Sequence, residues 1–413
     1  MDNEQTQAQI RRLADLGREQ SEYERAVINL IASDNAYPRA AAESPPYNGH
    51  MIQEGLRRNR PFAGARLHDE IEELAEAVAC DTFAAEAANL QPHSCSQANQ
   101  AVYHALLAPG DAVLALQFRA GGHLTHGLGI NFSGRQYHFS FYGTRPDGRI
   151  DYDEVRDLAR AKRPKLIVCG SSSYPRLFDA TALREIADET GARLMFDLSH
   201  EAGLIAGRAI DNPVPFADVT TMSLDKTLRG PFGGMVLCRH DLAGAINRAV
   251  HPGTQSSFPI RKLTDAANAL LLTQTPAFHE YAVRVVRNAK TLEQLFHVHA
   301  VPLLTNGTDK HYVVADVRTA FNLTGADAER CLEDIGILTS RQSMPTDASN
   351  RGSAAGGLRL GTAWVSSRGY MPGDLRRVAE VVISALTCSV PKEECRHRVL
   401  ELVRSNRVND VWF

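Results

Sequence analysis

The chain has 413 residues, 44% of them hydrophobic and 23% charged, with a formal net charge of −3. That length exceeds one ordinary hydrophobic core and predicts two domains of a soluble globular protein. The near-neutral charge offers no handle for nucleic acid or a membrane surface, and no apolar run is long enough to span a bilayer. The N-terminal "MDNEQTQAQIRRLADLGREQ" is polar and lacks the apolar stretch of a secretion signal. The cysteines, at 80, 95, 169, 238, 331, 388 and 395, are odd in number, irregularly spaced and without a C-x-x-C. This predicts reduced thiols in a cytoplasmic protein, with neither a disulfide framework nor a zinc site.

In chain order, residues 5–30 read as an amphipathic helix, and "LHDEIEELAEAVACDTF" has helical spacing. "DAVLALQF" (111–118) and "PKLIVCG" (164–170) read as strands, "DATALREIADETGA" (179–192) as a helix and "RLMFDLSH" (193–200) as the next strand. Alternation of this kind predicts a mostly parallel sheet covered on both faces, with ligands bound beyond the carboxyl ends of its strands. Asp197, His200 and Lys226 fall at such ends. From "TDAANALLLTQTPAFHEYAVRVVRNAKTLEQLFHVH" a long helix is predicted. It leads into a smaller α+β region with strands at 311–317 and 357–366 and helices in "GADAERCLEDIG" and "GDLRRVAEVVISALT". The domain boundary is placed near 265–285.

Several residues invite a chemical reading, each with a plainer alternative. Glu54 shares a loop with Arg57, Arg58 and Arg60, an arrangement that also describes a solvated charged loop. Ser94, Cys95 and Ser96 precede a helix, where hydroxyls and free N–H groups suit a phosphate or simply cap the helix. His123 and His126 in "AGGHLTHG" could flank a flat ring or bind metal, but no third ligand presents itself. Asp197 ends an apolar run and needs a partner: a protonated pyridine nitrogen, a helix cap or a buried salt bridge. Lys226 in "MSLDKTLRGPFGG" stands at a rigid strand end, as a Schiff-base lysine would and as a surface lysine could. Arg359, inside an apolar strand, could pair with a substrate carboxylate or within the fold.

In order, "LIASDN", "QPHSCSQANQAVYHALL", "GGHLTHG", "FDLSHEAGL", "DKTLRGPFGGM" and "LRLGTAWVSSRGY" resemble the serine hydroxymethyltransferase family, from about Leu30 to Tyr370. The resemblance implies the aspartate-aminotransferase-like α/β fold (fold type I) and pyridoxal 5′-phosphate as cofactor. It implies an N-terminal helical arm (1–35), a large cofactor-binding α/β domain (36–275) and a small C-terminal α+β domain (276–413). It assigns Lys226 to the covalent link, Asp197 to the pyridine nitrogen and His123 to the ring face. His200 and Ser172 fall near the phenolic oxygen. Ser94, Cys95, Ser96, Gln97 and Ser223 join the cofactor site, with Ser256 and Ser257 reaching a partner's phosphate. Ser33, Phe62 and Arg359 face the substrate. Glu54 is the acid/base group, contributed from the neighbouring subunit of a homodimer or dimer of dimers.

The sequence departs from the family at several of these positions. Pro61 and Phe62 replace a tyrosine pair, and Ile52 replaces the tyrosine before the glutamate. Asp225 replaces the histidine before the lysine, and Cys95 the glycine of the phosphate cup. Ser256–Ser257 replaces a glycine pair, and His251 a folate-contacting phenylalanine. These changes make tetrahydrofolate doubtful. They point to a folate-independent enzyme that cleaves L-threonine or a related β-hydroxy amino acid at Cα–Cβ and transfers the glycyl unit to another aldehyde. The alternatives are a folate-dependent serine hydroxymethyltransferase, other amino-acid chemistry on the same cofactor, and a non-catalytic relative.

Overall fold

The computed structural model describes residues 3–38, 45–347 and 355–406. Residues 1–2 and 407–413, the outer ends of the predicted arm and small domain, lie outside the described residues. Helix α1 (Asn3–Ala26) stops short of the predicted end at residue 30. The following "VINL" is apolar and β-branched, and burial in a distant core overrides helical continuity. Ile28–Asn29 pairs in parallel with Ile337–Leu338, and Ile28 and Leu30 are fully buried.

The large part is built on seven strands: β1 (Ala87–Asn89), β2 (Ala112–Leu116), β3 (His138–Tyr142), β4 (Leu166–Gly170), β5 (Arg193–Asp197), β6 (Val219–Ser223) and β7 (Gly234–Cys238). Their spatial order is β1-β7-β6-β5-β4-β2-β3. β2 to β6 run parallel, while β7 lies antiparallel to both β1 and β6. Every residue of β4, β6 and β7 is buried, which explains the continuous apolar runs of β4 and β7. The register sets Asp197 beside Gly170 on one side and Thr221 on the other, at the carboxyl edge of the sheet. Lys226 follows β6 at the same edge.

Helix α2 (Arg66–Phe83) and helix α3 (Cys95–Leu106) cover this sheet. The single long helix predicted over 264–299 is two helices, α4 (Ile260–Thr273) and α5 (Pro276–Val298). Thr275 Oγ1 caps the second by accepting from Phe278 N at 3.3 Å, and Pro276 opens it. α5 contributes to two cores. Its first turns pack Phe278, Tyr281 and Val285 with Leu204, and its last turns bury Leu292 and Phe296 among the C-terminal elements.

Those elements surround a three-stranded antiparallel sheet in the order Tyr312–Asp316, Gly357–Gly361, Ser340–Gln342. The strand predicted over 357–366 ends at Gly361, and residues 363–367 form a short helix. Gly361 N donates to Leu30 O at 2.6 Å, and Gly361 lies so close to Ala32 that a Cβ would collide with it. Ile28 and Leu30 belong to this second core rather than to a free arm. Among the described residues, no helix is long and apolar enough to cross a membrane.

Candidate active site

At the carboxyl edge of the sheet lies a cavity of about 180 Å³. Ser94, Cys95, Ser96 and Ser223 line it together with His123, Asp197, His200 and Lys226. Asp225 and Ser171 are on the same wall. Five segments deliver these groups: the start of α3, the loop after β2 that carries His123, the ends of β4 and β5, and the turn between β6 and β7. Gly234 opens β7 because a Cβ there would run into the Ser94 carbonyl, so close approach of the two loops requires glycine.

Asp197 is the most densely held group. Its Oδ2 accepts from Asn99 Nδ2 at 2.9 Å and faces His126 Nε2 at 3.1 Å. Its Oδ1 accepts from Ser199 Oγ at 2.6 Å and Ser199 N at 3.1 Å. Burial alone would raise its pKa, but the hydrogen bond and charge of His126, then His123 and Ser199, hold it well below the usual carboxylate range. A carboxylate kept ionised at the base of a cavity is a ready partner for a protonated ring nitrogen. Cys95 lies against the same carboxylate, 3.7 Å from Oδ1, with its Sγ 2.9 Å from Ser199 Oγ. Burial pushes that thiol well above its ordinary pKa, so it stays neutral.

His123 is held through Nδ1, 2.7 Å from Thr125 Oγ1, and burial lowers its pKa to about 4, leaving a neutral ring at physiological pH. The third group that the sequence left missing beside the histidine pair is Asp197: with His123 and His126 it places potential ligand atoms within 4.8 Å of one another. His126, however, already contacts Tyr103 OH through Nδ1 (2.7 Å) and Asp197 through Nε2. The cluster is a hydrogen-bond relay that orients Asp197. The donor set suits pyridoxal phosphate: an ionised buried carboxylate, a neutral imidazole, a lysine amine, and hydroxyls at the N-terminus of a twelve-residue helix.

Arg359 is 9% exposed and donates to the Ser172 carbonyl and, at 3.3 Å, to Ser340 Oγ. Among the described residues no carboxylate reaches ion-pair distance of it, and burial lowers its pKa. Its bond to the Ser172 carbonyl sets it beside Ser171, which lines the cavity. Ser33 lies nearby, on the segment whose Ala32 O meets His311 Nε2 at 3.1 Å and whose Asn35 donates to Lys226 O at 2.9 Å.

Other predicted residues lie elsewhere in this subunit. The Gln97 side chain binds His93 N and Thr254 O, at 2.7 and 3.0 Å, and so braces the loop rather than facing the cavity. Ser172 turns its hydroxyl to Gly122 O (3.3 Å), and its neighbour Ser171 lines the wall instead. Glu54 accepts from Ser256 Oγ at 2.9 Å and meets His251 Nε2 at 3.4 Å, where Ile52–Glu54 pairs with Ser257–Pro259. That cluster, with Ser257, does not line the Lys226 cavity. Phe62 is 41% exposed, outside the cavity. The Arg60 side chain is buried on Asp69 and Glu72, which corrects the plain reading of it as part of a solvated loop. The sequence reading passed over Asn99, Thr125, Ser199 and Thr221. For Asn99 and Thr221, a polar residue inside a helix and inside a buried strand was the available signal; Thr125 and Ser199 stand in turns and carry none.

Residues 6–382 match the sequence model of the family described as Serine hydroxymethyltransferase. A protein named serine hydroxymethyltransferase from Mesoplasma florum is 43% identical over 361 residues, 87% of each chain. Its namesake from Mycoplasma mycoides is 39% identical over 383 residues, 92% of this chain and 91% of its own. That from Mycoplasma capricolum is 40% identical over 364 residues, 87% of each. These relatives overturn the folate-independent threonine aldolase or transaldolase reading, since identity at this level and coverage is to proteins of the other name. Lys226, Asp197, His123, Ser94 and Ser96 together line the cavity, while the substituted Phe62, His251 and Ser256 stand outside it in this subunit. The motifs, the cavity and the match over nearly the whole length agree: the chain belongs to the serine hydroxymethyltransferase family.

Proposed function

We propose that the protein interconverts serine and glycine, passing the hydroxymethyl carbon of serine to tetrahydrofolate. The observation that carries this reading is Arg359, a buried guanidinium without a carboxylate partner among the described residues, beside a cavity that holds Lys226, Asp197 and His123 together. A buried cation of this kind is stabilised by the carboxylate of an amino acid. Its planar fork orients Cα relative to the cavity. Ser94 and Ser96 would hold the cofactor phosphate, Asp197 the ring nitrogen, His123 the ring face and Lys226 the covalent link. Bound there, pyridoxal phosphate supplies an electron sink for the bond broken at Cα. His200, buried and uncharged, keeps the far wall dry and polar.

The test is serine consumption with and without tetrahydrofolate. Glycine formation that depends on the folate is the expected result. Folate-independent acetaldehyde release from threonine at an equal rate would overturn it.

We also assign Glu54 to the active site of a second subunit, because it stands with Ser256 and His251 away from its own Lys226. The apolar side chains of Ile10, Leu13, Leu16 and Tyr23 lie exposed along α1, as expected of a helix that packs on another copy in a homodimer. A proton-transfer role predicts that Glu54→Gln lowers serine turnover by about 10²- to 10⁴-fold while leaving cofactor uptake intact. Mixing Glu54→Gln with Lys226→Ala subunits is expected to restore activity, since each mixed dimer regains one complete site. No recovery would mean that Glu54 acts within its own subunit. Seven free cysteines support a reducing, cytoplasmic location.

A further inference from the structure

Directly behind the cavity wall lies an ion pair that the chemistry above does not use. Lys310 and Glu201 meet with side chains 0% and 3% exposed. The Lys310 ammonium also donates to Ser171 Oγ at 3.3 Å and stands 5.3 Å from the Phe178 ring centroid and 5.9 Å from that of Tyr174. One charge is therefore constrained by a carboxylate, a hydroxyl and two aromatic faces. A buried lysine–glutamate pair is a poor way to gain stability, because desolvation of both ions offsets most of their attraction and an apolar pair of similar volume packs as well or better. What the ionic pair adds is direction.

The residues on either side of this pair belong to the active site. Glu201 follows His200, and Lys310 precedes His311. His200 and His311 stack with centroids 5.3 Å apart, and His200 Nδ1 lies 3.2 Å from His311 Nε2. Ser171, which receives Lys310, lines the cavity. His311 leads into the strand Tyr312–Asp316, where Val314 pairs with Arg359. The pair thus joins the end of the large sheet to the strand that sets the register of Arg359. We propose that Glu201–Lys310 is a positioning device for the reaction, fixing His200 and Ser171 on the cavity wall relative to Arg359 on the smaller sheet. The inference rests on the cofactor and substrate assignments made above. Burial, then the charges of Lys226, Arg359 and Lys310, hold His200 neutral beside the likewise neutral His311, and Glu201 pairs with Lys310.

Two variants test this. Glu201→Gln keeps the shape of the side chain and an acceptor for Lys310. The double variant Glu201→Leu/Lys310→Met replaces the pair with an apolar one. The apoprotein of the double variant is expected to melt within a few degrees of the parent or above it. Both holoenzymes are expected to lose about 10- to 100-fold in kcat, the scale of a small misplacement of reacting groups. The pH midpoint of the bound cofactor's visible absorbance is expected to move in both. Parental kcat and parental absorbance titration in Glu201→Gln, or in a folded double variant, would make the pair a structural staple and overturn the proposal. If the double variant does not fold, Glu201→Gln decides alone. A parent protein that takes up no cofactor would instead overturn the function itself, a distinct outcome visible before any variant is made.

Discussion

Lys226→Ala is expected to lower serine turnover by about 10³-fold or more, because the residue that bonds the cofactor and exchanges it for substrate is gone. Position supports so large an effect. Lys226 lies on the turn after β6, with its carbonyl tied to Asn35 Nδ2 (2.9 Å) and Arg229 N (3.1 Å). The backbone is thereby held while the side chain faces the cavity. Borohydride reduction followed by peptide mass analysis is the direct measurement. The parent should carry the cofactor's mass on the peptide containing Lys226, and the variant on none. Label on another lysine would reassign the site.

Asp197→Asn is expected to cost nearly as much, about 10²- to 10³-fold in kcat, with weaker cofactor uptake. Losing the charge opposite the ring nitrogen weakens the electron sink, and a loss of 10²- to 10³-fold corresponds to about 3–4 kcal/mol of barrier at about 1.4 kcal/mol per tenfold. Four hydrogen-bonding groups converge on this carboxylate, and an amide turns one of its acceptors into a donor. The sign of the accompanying pH effect follows from the depressed folded pKa. Asp197 contributes stability above the unfolded carboxylate value of about 3.9 and loses it as pH falls toward the folded value. The melting temperature of apo Asp197→Asn should therefore lie below the parent at neutral pH and approach it in acid. A gap that widens on acidification would contradict the assignment.

How far the sequence revealed this site depended on whether each signal was local. Strands β4 and β5 announce themselves as apolar runs, and Lys226 and Asp197 stand at strand ends that can be read directly. The partners of Asp197 cannot be read that way. Asn99 reaches it from inside α3 and His126 from the loop after β2, and nothing in their immediate neighbours marks them as ligands of one carboxylate. Gln97 shows that a motif does not give a side chain's direction: it sits within the phosphate-cup motif, while its side-chain amide bonds His93 N and Thr254 O. The end of the strand at Gly361 was hidden because it is set by the distant backbone of Leu30 and Ala32. The folate-independent expectation rested on substituted residues, and whether such a residue touches the reaction depends on which subunit's cavity it meets: Phe62, Ser256 and His251 lie outside the cavity of their own subunit.

The pairing of Ile28–Asn29 with Ile337–Leu338 bears on the order of assembly during synthesis. The large sheet is complete in sequence once β7 has emerged, so it can form while the ribosome is still translating. The segment that carries Ile28 and Leu30 cannot. It must keep its apolar side chains uncommitted until its partners from the other end of the chain arrive, because they share one core. A nascent chain arrested once α4, which completes the core of the large sheet, has emerged should therefore display a protease-resistant sheet and a cleavable amino-terminal segment. Release beyond Gly361, whose amide binds Leu30, should protect both.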